Sequence, residues 1–145
     1  MTIHSSMHKP ASIAATAICI MLSVGSGSAL SASGVLKLNG DQEVPPVTTS
    51  ATGTGTISVA PDGAVAGSVT TTGVAGTMAH IHMAAPGKNG PVIVPLVKSA
   101  DGVWSVPPAA KLTPEQLKAY QAGELYVNVH TEANKGGEVR SQLKP

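Results

Sequence analysis

The chain has 145 residues, with nine Lys and Arg against eight Asp and Glu, five His, one Cys and no Phe. So even a charge balance gives no field to draw in nucleic acid or an anionic membrane, and so few aromatic residues cannot build a base-stacking platform. A single cysteine, Cys19, excludes a disulfide framework.

The first thirty or so residues read as a secretory leader. His4, His8 and Lys9 form a polar, weakly basic start, Ile13 to Val24 is an apolar run, and Gly25 to Ala32 is small and polar. The run is too short for a comfortable membrane span. Cleavage is expected after Ala29, or as late as Ala32, giving a leader over 1–29 and one domain over 30–145 that is periplasmic or secreted and free of the membrane. Cys19 lies inside the leader with Ile18 before it, where lipid attachment would want a small residue. The mature chain therefore holds no cysteine, and with it no thiolate ligand or nucleophile.

What remains suffices for one small core. Strand-like stretches recur with turn residues between them: Val35–Leu38, Thr52–Val59, Ala64–Thr72, Met78–Met83, Val92–Val97, a short piece around Val103 and Trp104, Leu125–Thr131 and Glu138–Leu143. About eight strands predict an all-β sandwich or barrel of Greek-key-like form. One short covering helix interrupts them. Thr113 can cap it, Pro114 suits its first position, Gln116 completes a capping box, Leu112 and Leu117 have staple spacing, and Gly123 stops it. Gln42-Glu43-Val44-Pro45-Pro46 cannot be a central strand and reads as an edge or crossing loop, with Glu43 a solvated carboxylate.

The chemistry-bearing residues share one strand parity. In His80-Ile81-His82 the period of two puts both imidazoles on one face, while Ala79, Ile81 and Met83 form the core face. In Tyr126-Val127-Asn128-Val129-His130 the valines point inward and His130 shares the polar face with Tyr126 and Asn128. If the next strand returns as a hairpin, Val139 and Leu143 point inward, and Glu138 and Arg140 join that face. All three histidines beyond the leader thus fall on outward, solvent-side faces. Three neutral imidazoles with a carboxylate nearby suit copper or zinc. A fourth position is open to Glu138, Glu132, Met78 or water. Histidines that merely bond neighbouring strands are the plain alternative. No serine, histidine and carboxylate stand in a recognisable order, and no glycine-rich phosphate loop precedes a helix.

Four ordered blocks resemble the CHRD domain: Leu38 to Pro46, Ala79 to His82, Gly123 to Thr131 and Gly136 to Arg140. Lys135 stands where a proline is usual. The resemblance implies an immunoglobulin-like or barrel-like β-sandwich and leaves function open, because the domain takes its name from an interaction protein. A second likeness is to copper-zinc superoxide dismutase, with matching candidates His80, His82, His130 and Arg140. That family's disulfide cysteines are missing and the histidines are too few for its zinc site, so only a copper-only version fits. The reading is an exported copper domain, copper being preferred to zinc for its tighter binding. Superoxide would be its substrate, Arg140 would attract that anion, and Asn128 or Glu138 would orient a ligand. A non-catalytic copper buffer, or a metal-free interaction or matrix module with an unidentified protein partner, are the rivals. Export predicts that N-terminal sequencing of the secreted material returns a start near Leu30 or Ser33; a start at Met1 or Thr2 would overturn it.

Overall fold

The computed structural model describes residues 34–145, so the expected leader and its expected cleavage region lie outside the described residues. The strands are β1 (Leu36–Asn39), β2 (Thr52–Val59), β3 (Val65–Thr72), β4 (Met78–Met83), β5 (Val92–Pro95), β6 (Val97–Ala100), β7 (Val103–Ser105), β8 (Leu125–His130) and β9 (Val139–Gln142). A 3-10 turn, Gly40–Gln42, follows β1, and one helix, α1 (Pro114–Gln121), lies between β7 and β8. All strand pairs are antiparallel, in the order β5-β4-β8-β9-β1-β2-β3-β7-β6. The two end strands, β5 and β6, are separated in the chain by Leu96 alone. The sheet therefore curls until its ends meet through one continuous run, a nearly closed barrel that leaves little free edge.

The all-β expectation holds, with one change. Val92–Val97 reads as a single strand in the sequence but divides at Leu96, whose N–H bonds to the Ala79 carbonyl at 2.9 Å while its side chain turns into the core. The run contributes one strand to each end of the sheet, which makes nine strands rather than eight. Val94, Leu96 and Val97 keep the run apolar on both sides of Pro95, so hydrophobicity alone does not mark the division.

Alternation builds the core. Ile57, Val69, Ile81, Val127, Val129 and Val139 are fully buried, and Trp104, Leu36 and Leu38 close around them. Gly67 allows β2 and β3 to pair closely: its φ is +128°, and a Cβ there would lie 2.0 Å from the Thr56 carbonyl oxygen. The helix follows its sequence signals. Thr113 accepts from the Gln116 N–H at 3.2 Å, the Gln116 side chain accepts from the Thr113 N–H at 2.9 Å, and α1 buries Ala119 and Tyr120 against the barrel. Among the described residues no helix is long and apolar enough to cross a membrane.

The three adjacent strands β4, β8 and β9 carry the residues singled out above. Their core faces fix the register: Ile81 lies opposite Val127, and Val129 opposite Val139. Ile81→Ala should therefore lower the unfolding free energy by about 2–5 kcal/mol, the range for a large core residue cut to alanine. Lys98→Ala, on an exposed strand, should stay within about 0.5 kcal/mol. Urea melts check both, and equal midpoints would contradict this placement of the core.

Candidate metal centre

With the valines inward, the opposite face of β4–β8–β9 collects His80 and His82, then Tyr126, Asn128 and His130, then Arg140 and Gln142. Cross-strand neighbours are Met78 with His130, His80 with Asn128, His82 with Tyr126, and Asn128 with Arg140. The hairpin parity read from the sequence is the one found.

The solvent-side placement is corrected. His82 and His130 are only 7% and 6% exposed, Asn128 and Arg140 1%, and only His80 of the three imidazoles is partly open. Three loops roof this face. The segment after β4 reaches over it: Arg140 donates to the Lys88 carbonyl at 2.9 Å and to Asn89 Oδ1 at 3.3 Å, and Gln142 donates to the Ala84 carbonyl at 3.0 Å. The loop after β1 is tied to it by Asn89 Nδ2, which donates to the Val44 carbonyl at 2.7 Å. The β8–β9 turn closes the third side, taking a hydrogen bond from Asn128 Nδ2 on the Gly136 carbonyl at 3.2 Å.

The imidazoles converge. His80, His82 and His130 each bring one ring nitrogen within 4.8 Å of the others, and His80 Nδ1 lies 3.0 Å from His130 Nε2. Backbone carbonyls set two of the tautomers. His82 Nδ1 is 2.9 Å from the Gly90 oxygen, and His130 Nδ1 is 2.8 Å from the Lys135 oxygen. A carbonyl only accepts, so each Nδ1 carries the proton and each neutral ring keeps a lone pair on Nε2. This is the arrangement that orients metal-ligating histidines. His82 Nε2 is buried without a well-formed hydrogen bond, as are Asn128 Oδ1 and Glu43 Oε1. An orphaned buried acceptor is costly unless something with positive character meets it.

Gly90 positions His82. Its N–H donates to the Tyr126 hydroxyl at 3.3 Å, and a Cβ there would lie 1.9 Å from the Met83 carbonyl oxygen, so no side chain fits. The Tyr126 ring stacks on His82 with centroids 4.7 Å apart and planes 4° off parallel. The Arg140 guanidinium carbon lies 3.4 Å from the Tyr126 ring centroid. Arg140 is thus joined to the histidines through Tyr126 and through the 84–90 loop, and its donors are spent on that loop and on Gln142.

Glu138 goes elsewhere. Its carboxylate accepts from Thr131 at 2.7 Å, Thr49 at 2.8 Å and Asn134 at 3.3 Å, and these bonds, Thr131 first, hold it below the usual carboxylate range. It clasps the loops rather than the histidines, and Glu132 is exposed on the turn. Glu43 also departs from expectation, being 4% exposed rather than solvated. Burial pushes its carboxyl up to about 7, opposed by Arg140 and Asn128. Only the fold of the roof reveals this depth, since nothing in Gln42-Glu43-Val44 distinguishes a covered loop from an open one.

Burial, followed by the nearby His130 and His82 charges, pushes His80 down to about 4, and burial also lowers His82. Both rings are therefore held toward the neutral form. The model of the CHRD domain family matches residues 35–143 of the chain. No curated protein and no solved structure gives a significant match.

These shifts make opposing contributions to stability. An unfolded histidine takes up its proton near pH 6.5, which folded His80 refuses until about 4, so acid destabilises the fold across that window. Folded Glu43 takes up its proton near 7, before an unfolded glutamate does at 4.5, so acid stabilises the fold across that window. Glu43→Gln removes the second contribution and leaves the first. The melting temperature of the metal-free variant should fall more steeply from pH 7 to pH 4.5 than that of the metal-free native protein. Parallel profiles would show that Glu43 does not hold its proton.

Proposed function

Starting from a chain that belongs to the CHRD domain family, we propose that this protein is an exported copper-binding domain whose ligands are His80, His82 and His130. The observation that carries the reading is the pairing of convergence with tautomer control. Three ring nitrogens face one another, two of the rings oriented by backbone carbonyls, and one nitrogen, His82 Nε2, is buried without a well-formed hydrogen bond. Ligand nitrogens at the usual metal distance of about 2.0–2.1 Å lie roughly 3 Å apart. His80 Nδ1 and His130 Nε2 stand 3.0 Å apart, bridged by a hydrogen bond from His80 to His130 whose proton a metal would replace. When bound, copper would supply a redox-active cation. The chain's own part is to present neutral imidazoles, hold their orientation through Gly90 and Lys135, and restrict water to the side left open at His80.

Copper suits an all-imidazole set and outranks zinc in affinity for such donors. Retention of copper is favoured over turnover, because Arg140, the cation that would steer superoxide, is buried and its donors are engaged. Dismutation is the second reading, supported by the partial exposure of His80, which leaves one approach to a small anion. Stopped-flow decay of superoxide tests it, and decay by copper-loaded protein no faster than by metal-free protein would reject it.

Isothermal titration should give one copper per chain, abolished in the His80→Ala/His82→Ala/His130→Ala triple variant. Free copper at a hundredfold over Kd should raise the unfolding free energy of the native protein by about 2.7 kcal/mol. The triple variant should gain none. Equal copper affinity in the two proteins would end the reading, leaving a metal-free interaction module.

A further inference from the structure

Resting on the copper reading, we propose that Met78 is the fourth ligand and that the ion the site is built to hold is Cu(I). Three positions competed for this role in the sequence, and the fold separates them. Glu138 has both carboxylate oxygens bonded by Thr131, Thr49 and Asn134, and Glu132 sits exposed on the turn. Met78 begins β4 and has the parity of His80 and His82, so its side chain leaves the sheet on the histidine face. It lies directly across from His130 in the register. Directly opposed residues bring their Cβ atoms within about 5 Å, a span that a flexible methionine side chain covers.

Its exposure supports the same role. Met78 is 51% exposed, one of four large apolar residues so placed among the described residues, whereas Met83 at the other end of the strand packs on the core. A half-exposed methionine beside the one partly open histidine stands at the site's mouth, where a thioether can close the coordination that three imidazoles leave incomplete.

Charge supplies an independent argument. The histidine group contains no carboxylate. Glu43 is raised to about 7, and Arg140 places a fixed positive charge on the far side of Tyr126. An ion there meets only neutral donors, with a cation behind them. A monovalent ion is less penalised in such surroundings than a divalent one, and a thioether is a soft donor that selects Cu(I).

The test compares native protein, Met78→Leu and the triple histidine variant. Cu(I) affinity is read by competition with a chromophoric Cu(I) chelator under anaerobic reduction, Cu(II) affinity by competition with glycine, and the ligands by copper X-ray absorption. Met78→Leu should weaken Cu(I) binding at least tenfold, leave Cu(II) binding within about twofold, and lose a sulfur scatterer seen in the native Cu(I) form. Leucine keeps the apolar bulk, and circular dichroism should show the fold unchanged. Equal Cu(I) affinity in native protein and Met78→Leu, with only nitrogen scatterers in both, would overturn the Met78 assignment while copper binding stood. Absence of histidine-dependent copper binding in the native protein would instead overturn the reading on which it rests.

Discussion

A guanidinium that is 1% exposed has to find acceptors, and the way Arg140 finds them organises one whole face of this barrel. Its Nη groups reach the Lys88 carbonyl, the Asn89 side chain and Gln142 Oε1, and its flat side meets the Tyr126 ring. Those contacts draw the 84–90 loop across the sheet. Asn89 then carries the tie to Val44, bringing the loop that holds Glu43 under the same roof. Removing the guanidinium would leave a cavity and take the donor away from the Lys88 carbonyl, Asn89 Oδ1 and Gln142 Oε1. Arg140 thus stabilises the roof, although the charge that makes its burial costly first suggested an exposed, steering role.

The tautomers of the histidines follow from the roof. Gly90 lies two residues beyond Lys88, so anchoring that carbonyl helps place the Gly90 oxygen against His82 Nδ1. The Tyr126 hydroxyl accepts from Gly90 on its other side, and the same ring stacks on His82. Each group in this circuit is held by a neighbour that is itself held, the condition for a preorganised site on rigid strands. His130 is fixed separately, through Lys135 in the β8–β9 turn, where Glu138 clasps Thr131 and Asn134. Two loops of different origin therefore define two of the three imidazole directions, and the sheet register sets the distances between them.

The parity of the site was legible in the sequence and its depth was not. Val127, Val129 and Val139 alternate with Tyr126, Asn128, His130 and Arg140 so strictly that only one face can be core, and period two then groups the histidines. The helix was legible because Thr113, Pro114 and Gln116 act locally. Alternation, however, says only which residues point away from the core, and an outward face can still be covered by loops. The roof is made of Pro86-Gly87-Lys88-Asn89-Gly90 and Gln42-Glu43-Val44-Pro45-Pro46, whose compositions read as solvated turns. Their contacts are mostly between side chains and distant carbonyls, which have no period and no local signature. A buried Glu43 and the division at Leu96 escape sequence reading for the same reason: long-range pairing decides both.

The choice of ion is finally a balance between ligand affinity and electrostatics, and the two point in different directions for divalent metals. Imidazole nitrogens bind Cu(II) more tightly than most first-row divalent ions, which alone would favour the oxidised state. Against this, Arg140 stands behind the one aromatic ring that stacks on His82, and no carboxylate joins the three histidines. Each unit of charge on an ion held by the histidines would be repelled by that guanidinium. A second positive charge would double that repulsion. Partial protonation of Glu43 near neutrality offsets less of this than a fully ionised carboxylate would. On the proposal above, Cu(I) would meet half the repulsion and would tolerate the low coordination of three imidazoles and a thioether. A neutral donor set in front of a fixed cation would thus bias the proposed site on β4, β8 and β9 toward the monovalent ion.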